Sequence, residues 1–126
     1  MTTGRHKGTI RPAFLAMALA TTGFTHDEPK GKPVTITGTV VDTGCYMSHD
    51  SKGEKHTDCA TMCAKNGVPL AIVDAAGKLY LPIAADHKNP NEKLMPFIEK
   101  KVKVTGTATH KGGLEGIAIT SVQAVP

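Results

Sequence analysis

The stretch "VTITGTVVD", residues 34–42, alternates β-branched with small or polar residues, the period-two signature of a half-buried strand. Near the other end, "KVKVTGTAT" (101–109) and "LEGIAITSVQAV" (114–125) repeat the pattern on either side of "HKGG" (110–113), which reads as a hairpin connection. Two shorter strand-like runs, "VPLAIVD" and "KLYLPI", flank a turn containing Gly77. The segment after the first strand, "TGCYMSHDSKGEKHT", reads as irregular and polar, with Gly44 and Gly53 as breakers. In "DCATMCAKNG", Thr57 or Asp58 can cap a short helix that Asn66-Gly67 stops. Residues 90–100, "PNEKLMPFIEK", read as a second helix, kinked or cut short by Pro96. Five strands and two short helices in this order predict a mainly β fold, a small five-stranded OB-like barrel with the second helix plugging one end. A small open sheet with two helices is the competing arrangement.

A chain of 126 residues suits one domain, expected over residues 34–126. Ahead of it, Arg5, Lys7 and Arg11 precede an apolar run from Ala13 to Ala20, the layout of a secretory signal over residues 1–20. That run is too short to span a bilayer, so the mature form is expected without a membrane span. Residues 21–33, with Pro29, Gly31 and Pro33, read as a flexible spacer. The formal charge of +4 comes largely from the leader, since removing three of the fifteen basic residues leaves twelve against eleven acidic ones. The electrostatic footprint of a nucleic-acid binder is then missing, and few aromatics are present to stack bases.

The segments "GTVVDTGCYM", "CATMCAKNGVPLAIVD", "GKLYLP" and "KKVKVTGT" together resemble a group of small exported bacterial OB-like domains of unknown function. Its members pair an early Cys with a later Cys-x3-Cys and close with a "KVxVTGT" strand; the similarity spans roughly residues 34–123. The resemblance implies a periplasmic or secreted, non-catalytic domain, with an envelope protein complex as a possible setting. It carries over Cys45, Cys59 and Cys63 as the positions of interest. Members often show a His shortly after the first Cys, which His49 could match across a longer loop.

The residues make their own case. Positions four apart share a helix face, so Cys59 and Cys63 can aim sulfurs at one atom, with His56 over the same face or just ahead of it. Cys45, expected at the end of the first strand, would complete a Cys3His set, with His49 as the alternative fourth donor. Thiolates and imidazole suit zinc, while sulfur donors with Met47 and Met62 nearby would suit copper(I). A closed shell would mean a structural ion; exposure with the methionines would mean copper handling. The alternative is a disulfide from Cys45 to Cys59 or Cys63 with one spare thiol, stapling the intervening loop for about 3 kcal/mol. That reading makes the protein a non-catalytic adaptor subunit of an envelope complex. A third possibility is a reactive thiol at Cys59 in the helix's first turn, but no thioredoxin-like Cys-x-x-Cys accompanies it, and no enzyme is expected. No Cys-x-x-Cys-His, phosphate loop or His-Glu-x-x-His occurs. Asp42, Asp50 and Asp58 lack EF-hand spacing and read as loop residues or a cap. Lys100, Lys101 and Lys103 read as solvated, His110 as a turn residue, Phe97 as core and Tyr46 as the aromatic beside the cluster.

Overall fold

The structure, a computed structural model, describes residues 28–126 together with Met1, Thr3, Gly4 and Gly8. Apart from those four positions, the export signal expected at 1–20 and spacer residues 21–27 lie outside the described residues. Five strands form: β1 Lys32–Asp42, β2 Leu70–Asp74, β3 Leu79–Pro82, β4 Lys101–Lys111 and β5 Leu114–Ala124. Helices α1 Thr43–His49 and α2 Thr57–Lys65 both lie between β1 and β2. The strands close a barrel in the order β1-β2-β3-β5-β4, with β1 pairing back to β4. All pairings are antiparallel except β3 with β5, where Leu81 lies opposite Gly116. This is the OB-like barrel expected, and its closure excludes the open sheet. β1 starts at Lys32, two residues into the end of the stretch read as spacer.

The alternation in β1 becomes an inside and an outside. Ile36 and Val40 enter the core with Leu70, Ile72, Val102, Val104, Ile117 and Ile119, while Thr35 and Thr37 face solvent. Alternation stops at Val41 because the outer face is covered there too, by a second cluster of Val41, Ala71 and Val73 under Tyr46, Leu79 and Leu81. Gly38 and Gly106 are required by close approach: a Cβ at either would collide with the carbonyl of a neighbouring strand, at Val73 and Ala118 respectively.

Three local expectations are corrected. Residues 90–100 form two 3-10 turns, Pro90–Lys93 and Met95–Phe97, because Pro96 lacks the donor a continuous helix needs. The turns still plug the barrel, burying Leu94 and Ile98 with Phe97 packed against the core. The segment after β1 is not irregular throughout. Asp42 caps α1 by accepting the Cys45 N–H at 2.8 Å, Asp50 ends it with a left-handed residue, and a 3-10 turn at Glu54–His56 leads into α2. The β4–β5 turn is only Gly112-Gly113, both at positive φ, so His110 is a strand residue opposite Glu115 and its Nδ1 lies 2.8 Å from Glu115 Oε1. Among the described residues no helix is long and apolar enough to cross a membrane.

Leu94 is fully buried where the turns meet the core. Leu94→Ala is expected to cost about 2–5 kcal/mol through lost transfer energy and a residual cavity, read as a lower urea midpoint with an unchanged slope.

Candidate metal centre

Cys45 and Cys59 each occupy the third position of a short helix, one in α1 and one in α2. Cys45 therefore projects from α1 rather than from the strand end, because the Asp42 cap starts a helix immediately. The N-cap of α2 is His56, not Thr57 or Asp58, and Thr57 Oγ1 instead donates to Glu54 O at 2.7 Å. Ala60 and Ala64 anchor α2 in the barrel core. At its other end, Gly67 N–H donates to Ala64 O and Val68 N–H to Cys63 O, the paired bonds of a Schellman stop, with Gly67 at φ 92°. Asn91, itself buried, clamps the chain beyond by donating to Val68 O and accepting from Leu70 N–H. These contacts hold α2 and its C-terminal end against the barrel.

Cys45, His56 and Cys59 come together, with one ligand atom from each within 4.8 Å of the others. A second such group, Asp42, Cys45 and Cys63, shares the Cys45 sulfur. Cys63 thus lies at the cluster's edge through Cys45, not in the trio with His56. His49, at the exposed end of α1, belongs to neither group. All three cysteines are free thiols, and Cys45 Sγ lies 4.0 Å from Cys59 Sγ. Two sulfurs at bond lengths of about 2.3 Å to one tetrahedral ion stand ~3.8 Å apart, so this spacing fits a shared ion with almost no movement.

Behind His56 lies a pair of carboxylates. Glu99 Oε1 is 3.1 Å from His56 Nδ1, and Asp42 Oδ2 is 3.6 Å from the same nitrogen. Both carboxylates are fully buried, whereas the imidazole is 18% exposed. Glu99 also accepts Gly53 N–H at 2.6 Å, tying the loop before α2 to the barrel. Asp42 Oδ2 has no hydrogen-bond partner, so the pocket holds more buried acceptors than donors. With Nδ1 engaged by carboxylate, Nε2 is the ring nitrogen left free to act as a ligand, the usual division of labour at metal-bound histidines.

Burial, reinforced by the Cys59 thiol and the Asp42 carboxylate, pushes the Cys45 thiol up to about 12. Burial likewise raises Cys63, with Asp42 and Cys59 adding to it and a hydrogen bond from Cys45 partly offsetting it. Cys45 is therefore a protonated thiol at neutral pH, the opposite of an activated nucleophile. A cation among the sulfurs would invert this, since a coordinating thiol is deprotonated outright.

Sequence reasoning missed Glu99 altogether and took Asp42 for a loop residue or cap. An Asp three residues before Cys45 is a readable capping signal. Glu99 carries none, being 43 residues from His56 and in a left-handed conformation, φ 60°, that its sequence does not announce. Tyr46, expected beside the cluster, packs on the outer patch of Val41, Ala71 and Val73. Comparison with protein families, curated proteins and solved structures gave no match.

Two outcomes are expected. Alkylation of Cys45 by iodoacetamide, followed by peptide mass spectrometry on metal-free protein, should keep rising through pH 10 and 11, because the raised thiol yields its thiolate only near 12; a plateau near pH 9 would contradict the burial argument. Glu99→Ala should destabilise by about 1–3 kcal/mol by leaving Gly53 N–H and His56 Nδ1 without their acceptor. Glu99→Gly should be milder by about 1 kcal/mol, since glycine adopts positive φ freely. Chemical denaturation of the two variants side by side reads the order.

Proposed function

We propose that this is a small metal-binding protein that holds one zinc or copper ion through Cys45, His56 and Cys59, with Cys63 as the further donor. The observation that carries this reading is the convergence of thiol, imidazole and thiol from α1 and the start of α2 onto one point. The orphaned Asp42 Oδ2 beside His56 supports it, because a buried acceptor with no donor is offset by a nearby cation. Asp42 and Glu99 act behind the imidazole, orienting it and adding negative charge. On this reading the protein works outside the cytoplasm, an inference from the basic and apolar layout of residues 1–20 and the resemblance of the domain to exported ones.

A second reading has its own support. The 4.0 Å between Cys45 and Cys59 is short enough for an oxidising compartment to join them, leaving Cys63 as a lone thiol in a disulfide-stapled adaptor. The two readings differ in stoichiometry. Protein isolated from the periplasm is expected to carry about one metal ion per chain by elemental analysis, and to titrate three thiols after denaturation in chelator. Cys45→Ser should then weaken binding by more than about 100-fold, beyond the loss typical of an outer-shell partner. Absence of metal together with a single titratable thiol would leave the adaptor.

A further inference from the structure

The metal reading leaves open whether the ion is part of the fold or cargo, and the exposure around α2 bears on that. At 3.6 residues per turn, the order around the helix from its buried side is Ala64, Ala60, Cys63, Cys59 and Met62. Exposure rises in the same order: the alanines are buried, Cys63 is half-buried, Cys59 is exposed and Met62 is 66% exposed. A structural zinc site is closed on all sides by its ligands and their packing. This cluster is closed behind, by Asp42 and Glu99, and open in front. The mutual set of Cys45, His56 and Cys59 already brings two thiols, and Cys63 adds a third beside Cys45, a sulfur-rich donor set that suits a soft monovalent ion. Met62, three residues after Cys59, is a neighbour of Cys59 on the helix surface, where a large apolar side chain gains little by standing in water.

Resting on the metal reading, we propose that the ion is copper(I) held for transfer, and that Cys59 and Met62 form the face from which it passes to an acceptor bearing thiol or thioether sulfur. In the exchange a copper bond to the acceptor's sulfur forms as the bond to Cys59 Sγ breaks, and further acceptor donors then replace His56 and, last, Cys45 Sγ. Copper stays monovalent throughout, Cys59 and Cys45 each recover a proton from solvent as their thiolates are released, and an acceptor thiol gives up its proton to solvent as it binds. The Met62 thioether makes the first weak contact with the departing ion, so it governs rate and not equilibrium affinity. Cys45, half-buried and backed by Asp42, is the donor that lets go last.

The test loads the full mature chain with copper(I) under anaerobic conditions and follows transfer to bicinchoninate by stopped-flow absorbance. Met62→Ala and Met62→Leu should each slow transfer by about fivefold or more while leaving the equilibrium constant within about twofold. Met47→Ala should match the parent, because Met47 lines a cleft with Pro69, Leu79, Leu81 and Leu114 instead. Wild-type rates in both Met62 variants, or displacement of copper(I) by equimolar zinc, would overturn the transfer proposal while leaving metal binding standing. Failure to take up either ion would defeat the metal reading itself.

Discussion

Everything at the cluster depends on how the end of β1 is held. Val40 O accepts Glu99 N–H at 2.8 Å, and Val40 N–H donates to Lys100 O at 3.1 Å, so the chain entering β4 is clasped against the last turn of β1. This clasp brings the Glu99 side chain alongside Asp42, and the carboxylates meet at His56. Without it, Gly53 N–H would lose its acceptor and His56 would be left with its 3.6 Å contact to Asp42.

Two departures from ordinary folding rules sit at that clasp. Glu99 is at positive φ, a conformation costing a non-glycine residue roughly 1–2 kcal/mol. Asp42 buries an oxygen with no hydrogen-bond donor. The barrel itself is built of alternating strands and a two-glycine hairpin. Natural proteins concentrate such violations where function is, and the packed β-branched core can sustain the cost.

The cluster divides into a rigid half and an accessible half. The Asp42 cap fixes the backbone of Cys45 and Glu99 holds the His56 ring, so little backbone or imidazole ordering would remain for these two on engaging an ion. Cys59 and Met62 ride the solvent side of α2. The burial that raises Cys45 keeps its sulfur protonated, which protects it from electrophiles, and on the proposed reading ion capture would coincide with proton loss.

The sequence alone determined the strands and α2, because strand alternation and the Asn66-Gly67 stop are local patterns that survive whatever the rest of the chain does; it left a closed barrel and an open sheet as alternatives, which the pairing of β1 with β4 decided. It also identified Cys45, His56, Cys59 and Cys63 as the chemically capable residues. Tertiary structure decided which of them meet: Cys45, His56 and Cys59 form one set, while Cys63 joins through Cys45 and Asp42, and His49 stays apart. It also supplied Glu99. The reason is physical. Helix and strand periodicities act over a few residues, whereas the approach of Glu99 to His56 is set by barrel closure and by the pairing of Val40 with residues 99–100, a geometry that neither segment encodes by itself.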